Sequence, residues 1–336
     1  MRLILLFVML AGVVGAAPSN SLTIVQWNVE NLFDTHDDPA NSGDDEFTPA
    51  GSAGWTEALY SRKLAHLAEI LTPLEADILC VEEIENRRVL EDLAARLQQQ
   101  GHAYPFIVHR DGTDHRGIDV AILSRLAPVT NRWLTPVEGQ RDILVATFAS
   151  QGAAVTVMVN HWKSWRGAAK ESAATRTEEA AAVRVEVDKI LGADSNACIV
   201  VLGDFNDNCD GPAIKNHLRS TLNLDRVLHG PGEGWLYNLH GFLPRGARGS
   251  LYYPRGKVWR SFDSMSVSRA MVERSATNTP AWRVMPKSYA IVRPAQMQGE
   301  HGAPVPFRQG YEDQAGGEFV EGYSDHFPVK VTIGLE

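Results

Sequence analysis

The sequence has few cysteines and lacks the motifs of several common hydrolase classes. Its three cysteines, Cys80, Cys198 and Cys209, are an odd number, so at most one internal disulfide can form. Their spacing is not that of a zinc site, and a zinc hydrolase would need more histidine or cysteine ligands. The GxSxG elbow of acyl-transferring serine hydrolases is also absent. The sequence therefore argues against zinc hydrolysis and against acyl transfer.

Long hydrophobic runs are scarce, and the one that stands out lies at the N-terminus. It extends from Leu3 to Val14, follows Arg2, and precedes the small residues Ala16 and Ala17. This run is too short to cross a bilayer and has the pattern of a secretory signal peptide. We therefore predict a signal peptide over residues 1–17, cleaved after Ala16 or Ala17. The protein is then secreted or periplasmic, without stable membrane insertion.

The sequence also has no excess of positive charge: its formal net charge is −9. Such a chain does not attract nucleic acid by its bulk charge, so polyanion binding needs a local basic patch or bound cations. Residues 245–260, RGARGSLYYPRGKVWR, interleave basic and aromatic side chains. This composition is typical of a surface that follows phosphates and stacks bases, although an ordinary hairpin with exposed arginines has the same composition.

Strand-like and helix-like segments alternate along the remaining chain, which is 44% hydrophobic and 22% charged, as expected of a globular protein. Short β-branched runs predict strands at residues 21–27, 76–81, 118–124, 143–148, 154–160, 198–203 and 327–333. Apolar periodicity and alanine content predict helices at residues 57–71, 87–100 and 168–192. No linker rich in proline, glycine or serine divides these segments, so we predict one α/β domain over residues 18–336.

Several predicted strands end in the same polar chemistry. The side chains found there are Asn28, Glu30, Glu82, Glu83, Asn160, His161, Asp204, Asn206, Asp325 and His326. Each one alone has an ordinary explanation as a turn, cap or surface residue, but ligands collect at strand ends in α/β sheets. Carboxylate and amide oxygens suit Mg²⁺, Mn²⁺ or Ca²⁺, and nearby histidines suit charge stabilisation on a phosphoryl group. Together these residues predict metal-dependent hydrolysis of a phosphate ester.

The ordered motifs resemble those of a known superfamily. WNVENLF, VEEIEN, RGIDVAILS, NHWKS, LGDFND, SFDSMSVS and YSDHFPV, in that order, are similar to the motifs of the endonuclease/exonuclease/phosphatase superfamily. The resemblance covers essentially the whole chain after the signal peptide. It implies an α/β (α+β) four-layered sandwich, in which two packed mixed β-sheets are flanked by helices and the site lies at one end of the sheets.

The resemblance also implies the roles of individual residues. The implied metal ligands are Asn28, Glu30, Glu83 and Asp325, with Mg²⁺, or Mn²⁺ or Ca²⁺, as the cofactor. The implied catalytic residues are His161, Asp204, Asn206, Asp263 and His326. Arg141 and Lys163 are the implied phosphate-binding residues.

Among the catalytic residues, Asp204 would position or deprotonate the attacking water and Asn206 would contact the phosphate. His326 would stabilise charge on the phosphorane while Asp263 fixes its tautomer. His161 would contact the phosphate or act as an acid toward the leaving oxygen. Two positions depart from the usual pattern: Glu82 stands where relatives carry glutamine, which would add negative charge near the metal, and Ser264 follows Asp263 where many relatives carry histidine or glutamine.

Four functions are compatible with these motifs. The leading expectation is a secreted, metal-dependent nuclease that acts on DNA or RNA, because NHWKS, RGIDVA and YYPRGKVW look most like bacterial extracellular nucleases of the superfamily. A secreted phospholipid phosphodiesterase of the neutral sphingomyelinase type is the main alternative, and a phosphomonoesterase is another. A non-catalytic scaffold is disfavoured because Glu83, Asp204 and His326 are all retained. We expect a monomer and no protein partner.

Overall fold

The computed structural model describes residues 20–39, 41–230, 234–273, 280–307 and 322–336. The predicted signal peptide, residues 1–17, lies outside the described residues. The strands are β1 (Ser21–Leu32), β2 (Ile78–Ile84), β3 (Phe106–Val108), β4 (Asp119–Ser124), β5 (Pro128–Leu134), β6 (Ile143–Ser150), β7 (Ala153–His161), β8 (Cys198–Asp204), β9 (Ser220–Thr221), β10 (Leu236–Asn238), β11 (Leu251–Tyr253), β12 (Val258–Arg260), β13 (Asp263–Val267), β14 (Trp282–Val284), β15 (Ala290–Ile291) and β16 (Val329–Leu335). The α-helices are α1 (Glu57–Leu71), α2 (Arg87–Gln99), α3 (Ala169–Ala193) and α4 (Leu224–His229).

Most strands belong to two mixed sheets. The first has the order β14-β16-β1-β2-β4-β3, with β15 also paired to β16. The second has the order β5-β6-β7-β8-β13-β10-β9. Each sheet has a parallel pair near its centre, β1 with β2 and β7 with β8, while most other neighbours are antiparallel. Because the carboxyl ends of parallel strands point the same way, each sheet presents two strand ends at one edge.

Apolar residues on both faces of the central strands hold four layers together. Along β8, Val200 and Leu202 pack between the two sheets, whereas Ile199 and Val201 pack against α3. In the first sheet Ile24 faces the second sheet, and its neighbour Val25 packs in the cluster that includes α1 and α2. This alternation explains the unbroken apolar runs in the sequence, since both faces of each strand are covered. The predicted four-layered sandwich is confirmed.

The first two helices begin and end where side-chain chemistry sets their limits. The Thr56 side chain accepts a hydrogen bond from the Leu59 N–H at the start of α1, and Asn86 accepts one from the Val89 N–H at the start of α2. Gly101, with φ +90°, follows the end of α2. This left-handed conformation is favourable for glycine and stops the helix.

All three cysteines lie in the described segments and are buried free thiols. In the part of the chain that the structure describes, no helix has the length and hydrophobicity needed to span a membrane.

Candidate active site

The polar strand ends of the two sheets meet in one place. Asn28, in β1 where the pairing with β2 shifts register, donates from Nδ2 to Asp204 Oδ2 of β8 at 3.1 Å, and so joins the first sheet to the second. The same Nδ2 lies 3.4 Å from Glu83 Oε1 at the end of β2. The amide oxygen of Asn28 accepts from the backbone N–H of Glu30 at 3.0 Å. Asn28 is thus a buried connection between three predicted site residues.

Left-handed backbone conformations turn several of these side chains into the site. Glu30, Asn31, Glu83 and Asn206 have φ values of 57°, 50°, 64° and 45°. Such conformations are unfavourable for residues other than glycine, and they occur where the surrounding structure fixes them. In β1 and β2 they coincide with shifts in strand register, between Asn28 and Leu32 and between Glu82 and Ile84.

His326 and Asp263 form a buried pair at the centre of the site. His326 Nδ1 lies 2.7 Å from Asp263 Oδ2, which also accepts a hydrogen bond from the Ser250 hydroxyl. Burial alone lowers the pKa of His326, but the nearby carboxylates of Asp263, Asp325 and Asp204 outweigh this effect and hold it well above its usual value. Burial raises the pKa of Asp263, yet His326 and the hydrogen bonds it accepts bring it below the usual value. The pair is therefore an imidazolium and a carboxylate.

Asp204 lies between the two histidines. Its Oδ2 is 3.8 Å from His326 Nε2 and 3.7 Å from His161 Nε2, and its Oδ1 accepts from the Asn206 N–H at 2.9 Å. Burial raises the pKa of Asp204, against the lowering effect of His326, so the carboxylate is more basic than usual. A basic carboxylate is suited to accepting a proton from water.

His161 is electrically different from His326. Burial, together with the positive charges of Arg141 and Arg116, keeps the pKa of His161 well below its usual value. Its Nδ1 has no hydrogen-bond partner among the described residues, and its Nε2 is directed toward Asp204. Of the two roles predicted for His161, a neutral imidazole that contacts the phosphate agrees with this environment better than a cationic acid.

A group of carboxylates borders this pair and includes the predicted metal ligands. Burial raises the pKa of Glu30, and the negative charges of Asp325 and Glu83 raise it further. The pKa of Asp325 is raised as well, by removal from water and by Glu83. The Asp325 side chain keeps 41% of its exposure, so the group is open to an incoming ligand.

These residues fit a divalent cation. Three carboxylates and one amide, from Glu30, Glu83, Asp325 and Asn28, form the oxygen-rich set that hard cations prefer. A cation among them would remove the mutual repulsion that raises the pKa values of Glu30 and Asp325. Asp204, Asp263 and His326 also bring ligand atoms within 4.8 Å of one another, but Asp263 and His326 already pair with each other. The carboxylate group is therefore the better candidate metal centre.

Lys63 is a site residue that the sequence analysis missed. It lies on α1 with no exposed surface, and its Nζ donates to the Tyr323 carbonyl oxygen at 2.9 Å. Burial lowers the pKa of Lys63, while Glu30 and Asp325 counteract that effect. Fully buried lysines are rare unless they are paired, and Lys63 provides positive charge next to the carboxylates that are predicted to bind a metal ion. The sequence feature that could have drawn attention to Lys63 is a lysine on an otherwise apolar face of a predicted helix.

Gln26 and Glu82 were not recognised as a unit from sequence. Gln26 Nε2 donates to Glu82 Oε2 at 2.9 Å and to Asp263 Oδ1 at 3.0 Å. Burial and the adjacent Asp263 charge raise the pKa of Glu82 well above its usual value. Burial and Asp263 therefore disfavour the negative charge that Glu82 was expected to add near the metal.

The two predicted phosphate-binding residues lie at the periphery of the site. Arg141 is buried, and its guanidinium donates to the carbonyl oxygens of His161 and Trp162 and pairs with Asp114 at 3.3 Å. This arrangement supports the backbone that presents His161. Lys163 is half-buried, and its backbone N–H donates to Glu179.

Asn206 follows Asp204 at the mouth of the site. Its Nδ2 donates to the Trp162 carbonyl oxygen at 3.0 Å, which ties the end of β8 to the loop after β7.

The basic and aromatic segment forms a hairpin joined to the backbone of His326. Strands β11 and β12 pair with each other outside the two large sheets. Leu251, the first residue of β11, forms a bridge with His326, and the Ser250 carbonyl oxygen accepts from the Phe327 N–H at 2.9 Å. The hairpin therefore projects directly from the site.

A sandwich of two sheets with carboxylates, amides and histidines at one end is a phosphodiesterase-like hydrolase fold. Residues 23–334 match the model of the Endonuclease/Exonuclease/phosphatase family, and the chain belongs to that family. Members of the family are hydrolases that act on phosphodiester bonds, and most depend on a divalent metal ion.

Solved structures share this fold at low sequence identity. D. rerio TDP2 complexed with single strand DNA product is 17% identical with a TM-score of 0.56, covering 94% of this chain and 100% of that one. A family protein from Bacteroides thetaiotaomicron is 16% identical with a TM-score of 0.55, covering 94% and 98%. Beta toxin 275-280 from Staphylococcus aureus is 13% identical with a TM-score of 0.52, covering 92% and 99%. No curated protein matches the sequence.

Proposed function

We propose that this chain is a secreted, divalent-metal-dependent nuclease that hydrolyses phosphodiester bonds of DNA or RNA by in-line attack of water. The observation that carries this proposal is the position of Asp204 between His161 and His326, 3.7 and 3.8 Å from their Nε2 atoms, beside a group of carboxylates suited to a cation. The basic hairpin at the mouth supports a nucleic acid substrate, and so does the single strand DNA product bound to the related fold of D. rerio TDP2.

Each residue has a defined task in this reaction. The carboxylate of Asp204 accepts the proton of the attacking water, helped by its raised pKa. The imidazolium of His326 donates a hydrogen bond to the phosphoryl oxygens as negative charge develops, and Asp263 keeps it oriented. His161 Nε2 contacts a second phosphoryl oxygen. Glu30, Glu83, Asp325 and Asn28 would hold the cation, which supplies neutralisation of phosphate charge when bound.

One substrate panel tests the reaction class. The purified chain lacking residues 1–17 is incubated with linear DNA, RNA, sphingomyelin vesicles and a phosphomonoester, each with Mg²⁺, Mn²⁺ or chelator. Metal-dependent cleavage of DNA or RNA is the expected result, and Asp204→Ala and His326→Ala should lower it by about 10²-fold or more at unchanged circular dichroism. Cleavage that persists in chelator would rule out the metal mechanism.

A phospholipid phosphodiesterase is the second candidate, because the hairpin exposes Tyr253 at 46% and Val258 at 39%. Apolar side chains at a projecting tip can enter a lipid interface. The neighbouring Arg255 and Lys257 favour phosphate backbones instead. Hydrolysis of sphingomyelin without cleavage of nucleic acid would select this alternative.

The proposed export has its own test. Expression of the full sequence in a bacterial host should yield an extracytoplasmic protein whose N-terminal residue, determined by sequencing, is Ala17 or Pro18. A protein retained inside the cell with residues 1–17 attached would contradict the proposed export.

A further inference from the structure

Trp165 is an exposed aromatic residue next to the reacting groups. It lies in the loop between β7 and α3 and is 46% exposed. Its indole N–H donates to the carbonyl oxygen of Asn206, whose own N–H donates to Asp204 at 2.9 Å. The ring is therefore fixed only one residue away from the proposed catalytic base.

Arg260, on the basic hairpin, lies next to the Trp165 ring. The Arg260 guanidinium carbon lies 4.5 Å from the centre of the Trp165 ring, and the Phe262 ring centre lies 5.5 Å from it. Arg176, on α3, is 5.8 Å away. An indole with an adjacent guanidinium is a combination that stacks unpaired bases and contacts their phosphates in nucleic-acid-binding proteins.

A cavity opens beside Trp165. It has a volume of about 310 Å³, and its walls include Thr177, Asp207, Asn208 and Asp210. This volume is at the lower end of the range for small-ligand sites. Arg176 also lines the cavity, but the carboxylates of Asp207 and Asp210 outnumber its single positive charge. A neutral group such as a base is therefore a better occupant than a phosphate, which would lie on the Arg260 side.

The same surroundings disfavour a choline headgroup. Recognition of a quaternary ammonium depends on aromatic faces that are free to receive the cation. At Trp165 a guanidinium already lies against the ring, and a second cation would be repelled by Arg260 and Arg176. A nucleobase has no such conflict, because guanidinium planes also stack on bases.

We propose that Trp165 and Arg260 form a base-stacking subsite for the nucleotide that adjoins the scissile phosphate. This inference rests on the proposed nuclease function and specifies how that site selects nucleic acid over other phosphodiesters. The substrate must present an unstacked base, because the ring contacts the flat face of the base and not its edge.

The test compares two strands with the same backbone. Cleavage rates are measured in Mg²⁺ for a single-stranded thymidine oligonucleotide and for a strand of equal length that carries abasic residues. The wild-type chain should prefer the base-bearing strand. In Trp165→Ala this preference should fall by about 5- to 150-fold, the range for loss of one stacked base, and Trp165→Phe should retain part of it.

Trp235 provides a matched control. It also lies under arginines, with the Arg226 guanidinium carbon 3.8 Å from its ring centre, but it is not among the residues that line the candidate site. Trp235→Ala should leave the ratio of the two rates unchanged. If Trp165→Ala lowers both rates equally, the stacking proposal fails while the nuclease proposal stands. If the wild-type chain cleaves neither strand, the stacking proposal fails for DNA, and the nuclease proposal fails with it when RNA and linear DNA are also left intact.

Discussion

His326 and Asp263 form the charged pair on which the proposed chemistry depends. Within the site, Asp263 is the carboxylate in direct hydrogen-bond contact with the imidazole, at 2.7 Å. The raised pKa of His326 follows chiefly from this contact and from the more distant carboxylates. The protonated form, and the activity that requires it, is present below that pKa and is lost as pH rises through it.

Replacing Asp263 with asparagine should therefore act on both rate and pH dependence. We expect kcat to fall by about 10²- to 10⁴-fold and the alkaline limit of the pH-rate profile to move to lower pH, since His326 loses its nearest negative charge. Steady-state kinetics from pH 5 to 10 measure both effects. Ser264→Ala, a change at the adjacent residue, is the control, and an unmoved alkaline limit in the asparagine variant would contradict the assigned role.

Lys63 provides a second prediction at the level of one residue. Lys63→Met leaves Glu30 and Asp325 without their buried positive neighbour, so the variant should unfold more easily by about 3 kcal/mol in chelator. Added Mg²⁺ should recover part of this loss, because the cation restores positive charge near the same carboxylates. Denaturant unfolding with and without Mg²⁺ measures the difference.

Lys330 is the matched control for Lys63. Its Nζ also donates to a backbone carbonyl, that of Leu74, at 2.9 Å, but the residue is only half-buried. Lys330→Met should cost about 1 kcal/mol or less, with no dependence on Mg²⁺. Equal losses in the two variants would show that Lys63 does no more than any half-buried lysine.

At the scale of secondary structure, the long elements were predictable and the short ones were not. All seven predicted strands occur, and α1 spans the predicted residues 57–71. These segments bury apolar residues at regular spacing, which leaves a pattern in the sequence. Strands such as β9, β14 and β15 have two or three residues, and β14 and β15 form only because β16 offers an edge. Such pairing depends on strands that are far away in the sequence, so no local sequence pattern predicts it.

The residues of the candidate site were also predictable only in part. Asn28, Glu83 and Asp204 lie at or near the ends of predicted strands, and His326 lies just before one. Their convergence could therefore be predicted from strand order. Lys63 could not be identified from strand order, because it lies in the middle of a helix, on a face otherwise made of aliphatic residues and one tyrosine. Ser250 reaches Asp263 through the packing of the segment before β11 against His326 and Phe327, which no local sequence pattern indicates.

The connection between β2 and α2 contains a pH-sensitive carboxyl. Glu85 accepts from the Asp34 N–H at 2.6 Å, and burial, with added repulsion from Asp34 and Asp44, raises its pKa to about 8. The folded state then binds a proton that the unfolded state has released. Its contribution to stability is complete below the unfolded pKa and is lost as pH rises toward 8.

Glu85→Gln should remove this dependence. A neutral amide can still accept the Asp34 N–H, so the variant should match the wild-type chain near pH 4 and exceed it in stability near pH 8. The difference should grow by at most about 1.4 kcal/mol per pH unit. Urea unfolding at several pH values measures this slope, and parallel curves for the two proteins would count against the assignment.

At the scale of the whole molecule, the site joins the two sheets. Its groups come from both sheets, and Asn28 with Asp204 and Gln26 with Asp263 bond across the interface at 3.1 and 3.0 Å. A cation held among the carboxylates should therefore stabilise the fold as a unit, since it binds the folded state alone.

Thermal denaturation tests this coupling. Mg²⁺ at 100 times its Kd should stabilise the protein by about 2.7 kcal/mol, raising Tm, whereas Glu83→Gln should show a much smaller shift at the same concentration. Calcium and manganese titrations would rank the ions. An identical Tm in chelator and in saturating metal would show that the carboxylates do not bind a cation.

The left-handed residues at the strand ends have a consequence for engineering. Within the described segments, ten residues other than glycine have positive φ, and the four in the site cannot become glycine without loss of their side chains. Glu75 and Lys287, with φ of 49° and 60°, are exposed and remote from the reacting groups. Glu75→Gly and Lys287→Gly should each raise the free energy of unfolding by up to about 1 kcal/mol at unchanged turnover, as denaturation and activity assays can verify. Glycine substitutions at these exposed turns should therefore make the protein more resistant to heat. The same substitution at Asn206 would remove a side chain that the proposed reaction needs.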